Sequence, residues 1–401
     1  MSTAPVPTPV ADSAPATPSP RPTASRLLSL DAFRGATIAA MILVNDPGDG
    51  ANVYWPLQHA RWNGWTPTDL IFPFFVFVMG MSLTFSTRLH GREALVRAAK
   101  LFGLGLLVNT WPLLVFGHVR VPGVLQRIAL CYLAAWASRR WLGPRTQAVI
   151  AAVLLVGYWL AMTRLTGPEG LAPNLEPEAN LAAQVDRAVM GGHLWEYTKT
   201  WDPEGILSTF PAIATALLGL LAGEWLRRGQ PRRDACGATA GALPQSTITL
   251  GLLAAGFVLT LAGIYWGEWA PPWLRFPINK ALWTPSFVLL TAGLACGLFG
   301  LTYWVTDVNG WRAWAAPFVS YGRNAIVLYV GSELLAATLG AIRWGAGLDG
   351  HPVPLYTRVD STLFATWLSP VNASLAFAIA TVLLWYLVAR ALDRRRIYIK
   401  V

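Results

Sequence analysis

Residues 246–266 read STITLGLLAAGFVLTLAGIYW, a run without one charged side chain. A single helical crossing of a bilayer needs about 20 mostly apolar residues at 1.5 Å rise each. Comparable stretches lie upstream near 27–45, 68–87, 95–116, 121–138, 146–164 and 206–226, and downstream near 281–304, 317–341 and 370–390. The third and ninth are interrupted by Gly or Pro, so their edges are soft. The expected fold is all-α, a polytopic membrane helix bundle of about ten transmembrane helices. No internal repeat and no separate soluble domain is visible.

Composition agrees with that reading. Of 401 residues, 54% are hydrophobic and 13% charged, against about 25% charged in ordinary soluble domains. Mean hydropathy is +0.44, and the 20 tryptophans suit membrane–water interfaces. The net charge of +10 might suggest a nucleic-acid partner, but its distribution records topology instead. The N-terminal tail, the even-to-odd loops and the C-terminus (Arg139, Arg140, Arg145, Arg227, Arg228, Arg394, Arg395 and Arg396 among them) hold about twice the basic residues of the opposite loops. The positive-inside rule then puts both termini in the cytoplasm, and no nucleic-acid partner is expected. The first loop (46–67), the long loop (165–205) and the loops near 267–280 and 342–369 face outward, and the long one is large enough to cap a site.

Residues 1–25, rich in Pro and Ala, lack the basic start and apolar run of a signal peptide and are expected to form a disordered cytoplasmic tail before a membrane unit spanning 26–401. Cys131, Cys236 and Cys296 have no metal-ligand spacing and read as small apolar residues. No metal site is expected.

Ionisable side chains inside spans are costly, and they fall into two sets. Near the cytoplasmic end of the first span, Asp31 and Arg34 share a helix face, with Arg34 about 10 Å deep. Arg323 and Asn324 enter the ninth span from the same side. A salt bridge locking the bundle is one reading of Asp31 and Arg34, and it is compatible with phosphate binding. The outer set comprises Asn45, Asp46, His59, Trp62, Asn63, Asp69, Arg127, Asp202, Glu204, Asn279, Lys280, Trp283 and Ser286. These residues come from many segments and share one depth, as a site would. Of five histidines, His90, His118, His193 and His351 sit in loops without a polar motif, whereas His59 leads directly into Trp62, Asn63, Gly64 and Asp69.

The strings SLDAFRG (29–35), VND (44–46), QHARWNGWTPTDLIFPFFVFVMG (58–80), VPGVLQRIA (121–129), WDPEGILSTF (201–210), NKALWTPSFVL (279–289) and GRNAIVLYV (322–330) resemble the transmembrane acyltransferases related to heparan-α-glucosaminide N-acetyltransferase. The resemblance covers nearly all of the chain from residue 26, in the expected order. It implies transfer of an acetyl group from cytoplasmic acetyl-CoA, a co-substrate with no permanently bound cofactor, to an amino-sugar glycan beyond the inner membrane. The family's essential histidine, before the W-N-G motif, matches His59, and its asparagine matches Asn45. The D-x-F-R-G motif matches Asp31 and Arg34, and the acidic residue opening the next helix matches Asp69. Residues 46–52 (DPGDGAN) are longer and more acidic than the family's glycine-rich stretch, which leaves the acceptor open.

The residue chemistry fits acyl transfer. An ammonium must lose its proton before attacking a thioester, and His59 can remove it or carry the acetyl group itself. Asn45 or Lys280 can donate to the developing oxyanion, and Asp69 can orient the imidazole. Arg34 and Arg323, with Asp31 and Asn324, would hold the coenzyme phosphates. Asp46, Trp62, Asn63, Arg127, Asp202, Glu204, Asn279, Lys280, Trp283 and Ser286 would receive the acceptor. The rival class is a transporter or flippase, which would also gather polar residues in a membrane cavity. The missing repeat and the outer placement of the polar residues favour the enzyme. Oligomeric state stays open, a homodimer included.

Overall fold

The computed structural model describes residues 27–86, 90–114, 117–230, 232–233, 239–346 and 352–399. The expected tail at 1–25, Cys236 and His351 lie outside them.

Thirteen helices form the described fold: α1 (Leu28–Asn45), α2 (Ile71–Leu83), α3 (Gly91–Thr110), α4 (Val124–Trp141), α5 (Pro144–Arg164), α6 (Leu181–Met190), α7 (Ile206–Arg227), α8 (Gln245–Ile264), α9 (Pro285–Tyr303), α10 (Ala316–Arg323), α11 (Ala325–Ala341), α12 (Leu355–Leu363) and α13 (Pro370–Arg394). The all-α expectation needs a small amendment. Two antiparallel ribbons occur in connecting segments, Arg232–Arg233 with Thr239–Ala240 and Arg343–Ala346 with Pro352–Pro354.

Among the described residues, six helices are long and apolar enough to cross a membrane: Leu28–Asn45, Pro144–Arg164, Ile206–Arg227, Gln245–Trp269, Pro285–Val308 and Pro370–Arg394. A seventh crossing results if Ala313–Arg323 and Ala325–Ala341, bent by 72° at Asn324, count as one. The other three expected stretches fall short for visible reasons. Pro67–Leu83 is apolar but short. α3 carries Arg92, Glu93, Arg97 and Lys100, and α4 carries Arg127, Arg139 and Arg140. On length and composition alone, six or seven of the described helices qualify, short of the expected ten.

Burial separates inner from outer helices. Within their apolar windows α1 and α7 are each 61% buried, whereas α13 is 17% buried and shows Leu383, Leu384 and Leu387 on its surface. A helix that is apolar all round yet exposed is meant for lipid. Close contacts in the centre depend on glycine. A methyl group at Gly35 would overlap the Phe318 carbonyl oxygen, and one at Gly322 the carbonyl oxygen of Asp31. Small residues let helix backbones approach this closely, so α1 lies directly against α10 and the Asp31–Arg34 pair meets Gly322 and Arg323. Cys131 and Cys296 are buried among apolar neighbours, as expected.

Candidate active site

The segment after α1 is folded around Asp69. Pro67 opens a 3-10 turn, Pro67–Leu70, with Thr66 and Asp69 forming a reciprocal cap. Oδ2 of Asp69 accepts the amide N–H groups of Ala60 and Thr66, each at 3.0 Å. The Thr66 hydroxyl donates to the Gln58 carbonyl at 2.6 Å. These bonds fix the residues on both sides of His59. Oδ1 of Asp69 remains, 2.7 Å from His59 Nδ1. The Asp69 side chain is 1% exposed and that of His59 55%, so a buried anion holds an accessible imidazole.

The W-N-G motif brings up the third member. Gly64 has φ +98, a conformation open to glycine at little cost, and its N–H donates to the Ile278 carbonyl at 2.7 Å. Asn279 donates to Asn63 Oδ1 at 3.3 Å. The docked loop delivers Lys280, whose Nζ lies 3.0 Å from His59 Nδ1 and 3.4 Å from Asp69 Oδ1. Burial pulls the Lys280 ammonium below its ordinary pKa, although Asp69 and Glu204 attract the charge. Nδ1 cannot donate to Asp69 and accept from Lys280 together. The carboxylate accepts only, so Nδ1–H donates to it and the Nε2 lone pair stays free.

His59, Asp69 and Lys280 border a cavity of about 370 Å³, together with Asn45, Trp62 and Glu204. The long loop supplies one wall, as its expected capping role requires, through Trp195, Trp201 and Glu204. Trp62 meets Trp201 edge to face at 5.2 Å and donates to the Leu175 carbonyl at 3.0 Å. Arg120 grips Asp202 through Nε at 2.8 Å, and the same guanidinium bonds Glu204. Asn45 donates to Glu333 at 2.8 Å.

The remaining expected acceptor residues stand apart from this cavity. Arg127 is buried, bonds Ser208 and the Gly205 carbonyl, and stacks 5.0 Å from the Trp283 ring. Trp283 donates to Thr215 at 3.1 Å, and Ser286 to the Phe276 carbonyl at 2.6 Å. Asn279 Oδ1 accepts from Leu282. Asp202 backs Arg120 from outside the lining. Asp46 lines a different cavity, and burial, with Glu333 nearby, lifts its pKa to about 8.

At the opposite end of the bundle a cavity of about 280 Å³ is bordered by Arg34, Arg97 and Arg323, with Ser82 and Tyr132. Arg34 donates to Ser82 at 2.6 Å and lies 3.6 Å from Asp31. Arg97 stacks 4.9 Å from the Tyr132 ring, and Arg323 pairs with Asp393 at 2.6 Å. Asn324 is not in the lining. Its side chain donates to the Ile397 carbonyl and accepts the Ile399 N–H, each at 3.1 Å, and Ile399 reaches the cavity wall.

With this geometry described, comparison with known proteins is direct. A family model of the heparan-alpha-glucosaminide N-acetyltransferase catalytic region matches residues 26–260. The chain belongs to that family. It is 30% identical to the human heparan-alpha-glucosaminide N-acetyltransferase, over 77% of this chain and 53% of the human protein. The mouse protein of the same name is 30% identical over 79% of this chain and 54% of its own length. The chain thus spans about half the length of these curated relatives. Family membership and the apolar helices together make it a multi-pass membrane protein.

Sequence reasoning overlooked several lining residues. Arg97, within the expected span near 95–116, lies inside α3, and Arg120 precedes α4 in what reads as an ordinary loop. Trp201 is within the quoted WDPEGILSTF string and could have been marked there, whereas Trp195 carries no motif.

Proposed function

We propose that this family member is a transmembrane acetyltransferase, moving acetyl from cytoplasmic acetyl-CoA to the amine of a glucosamine-type sugar on the far side. One observation carries the reading. The arginine-lined cavity and the His59 cavity border the same helices, α1, α2, α4 and α11. Along α4 their linings approach within four residues, Val124 to Ile128, or about 6 Å. A pantetheine arm laid along this seam would leave phosphates among Arg34, Arg97 and Arg323, where guanidinium forks match phosphate oxygens. Its thioester would then lie at His59.

In this proposal the sugar ammonium first releases one proton to water, and Nε2 takes a second as the neutral amine nitrogen attacks the thioester carbonyl. The C–S bond breaks, and the coenzyme sulfur receives the proton from the imidazolium. The second N–H of Asn45, beside the one held by Glu333, and the Lys280 ammonium point to oxyanion stabilisation. Trp62, Trp195 and Trp201 supply flat apolar faces for sugar C–H groups, and Glu204 accepts hydroxyl or ammonium protons. With α2, α3 and α4, too short or too charged to pass by length and composition, also crossing, the proposal has ten crossings, and the basic bias puts both termini in the cytoplasm.

The test is CoA release by the purified protein given acetyl-CoA and glucosamine. His59→Ala should lower kcat by about 10² or more while acetyl-CoA binding persists. A folded variant at near wild-type rate would overturn the reading. Pre-steady-state mixing without acceptor separates two routes, since a CoA burst equal to enzyme means an acetyl-histidine.

A further inference from the structure

A larger cavity, about 480 Å³, shares Asn45 with the His59 cavity. It runs between α11, α12 and α13, with Leu335, Leu339, Val359, Phe377 and Leu384 in its walls. Its polar lining is sparse: Asn45, Asp46 and Ser332, with Tyr356 and Thr381 on the facing helices. Along α11 it extends from Ser332 to Leu339, seven residues or about 10 Å of depth. α13, which closes one side, is the least buried of the apolar helices, so the groove abuts lipid. Acetyl transfer to a water-borne sugar has no use for an apolar groove set against the catalytic cavity.

We propose that this groove holds the hydrocarbon tail of a lipid-borne amino sugar, whose headgroup passes Asn45 to place its amine at His59. The proposal rests on the acetyltransferase reading and names the acceptor class, a membrane amphiphile rather than a soluble sugar. Three observations converge on it. The groove abuts the catalytic cavity, with the Asn45 side chain lining both. Its walls are aliphatic and aromatic, as a hydrocarbon requires. The shared Asn45 marks the side of the groove toward the indoles and Glu204 that would seat a sugar. A site binding only bulk lipid would not need Asn45 and Asp46 in its lining.

Full-length protein in phosphatidylcholine nanodiscs is assayed by CoA release with two probes, methyl and dodecyl glycosides of glucosamine. The dodecyl glycoside should show the higher kcat/KM by about 10² or more, but partition into the bilayer contributes to that. The decisive quantity is the change in the dodecyl-to-methyl ratio on filling the groove. Ala336→Trp and Ala380→Trp should each lower the ratio at least 10-fold, whereas Leu383→Trp, on the lipid-exposed face outside the groove, should leave it near wild type. If the groove variants misfold, the wild type decides. Dodecyl glucoside, which has no amine, should compete with the methyl glucosaminide, and octyl glucoside should compete more weakly. An unchanged ratio in folded groove variants, or no competition, would assign the groove to bulk lipid and overturn the proposal. Loss of transfer to both probes in the wild type would instead defeat the acetyltransferase reading beneath it.

Discussion

At Asp69 the two carboxylate oxygens have different duties, and a carboxamide could perform only one. Oδ2 receives two backbone N–H groups and Oδ1 receives His59. Asn at this position must turn its single oxygen to one side. Two amide donors outweigh one imidazole, so the oxygen faces Ala60 and Thr66 and the NH₂ faces Nδ1. Nδ1 then has to accept, which moves the ring proton to Nε2 and removes the lone pair aimed at the cavity. In a serine protease the equivalent exchange costs about 10⁴ in kcat. Asp69→Asn is expected to lower kcat here by roughly 10² to 10⁴ without raising the KM for acetyl-CoA. Steady-state kinetics on the folded variant check it, and a near-normal kcat would show that Asp69 does not set the tautomer. His59, Asp69 and Lys280 were legible in the sequence because each lies in a short polar motif. Arg127, Trp283 and Ser286 share their depth, yet hydrogen-bond within the protein beside that cavity. A linear sequence gives depth along a helix but not the direction in which a polar group turns, so these could not be separated in advance.

The elements show where periodicity succeeded and where it ran out. Long runs such as 206–226 and 246–266 reappear as α7 and α8 within a few residues. The expected ninth span was marked as interrupted, and it divides at Asn324, whose side chain is used to hold the C-terminal segment instead of continuing the helix. Less legible was α6, a ten-residue amphipathic helix within the long loop. Its Asp186 accepts the Ile206 N–H at 2.8 Å and so caps α7 from outside. Burial lifts the Asp186 pKa from 3.8 to about 7, despite that hydrogen bond. Because the folded value exceeds the unfolded one, folding favours the protonated acid. Stability from this group is therefore greatest below about pH 4 and declines as pH rises to about 7, where both states are ionised. Asp186→Asn keeps the acceptor and never ionises. Its Tm should exceed that of the wild type by a margin that widens from pH 5 to pH 8, as followed by thermal melts in detergent. A margin that is constant or shrinks over that range would contradict the assigned burial effect.

For the whole molecule, what matters is that the two cavities lie at opposite ends of one set of helices. The contacts of Gly35 and Gly322 hold Arg34 and Arg323 at one end, while the W-N-G loop and the segment before α9 hold His59 and Lys280 at the other. Each motif is legible by itself, but their stacking depends on long-range packing that no local pattern encodes. Such an arrangement makes coenzyme affinity and acceptor chemistry separable. Arg97 is the better probe of the coenzyme end, because Arg34 also donates to Gly322 and approaches Asp31 in the helix contact, and removing one member of a buried pair is destabilising in itself. Arg97→Ala should raise the KM for acetyl-CoA about 10-fold or more, as expected for losing a charge-assisted phosphate contact of roughly 1.5–3 kcal/mol. The KM for the acceptor should stay unchanged. Sidedness adds a second readout in sealed vesicles of known orientation. Acetyl-CoA should support transfer only when supplied on the face bearing Arg97, and acceptor only on the face bearing His59. Equal activity with both substrates on the His59 face would mean that the coenzyme does not enter through the arginine-lined cavity.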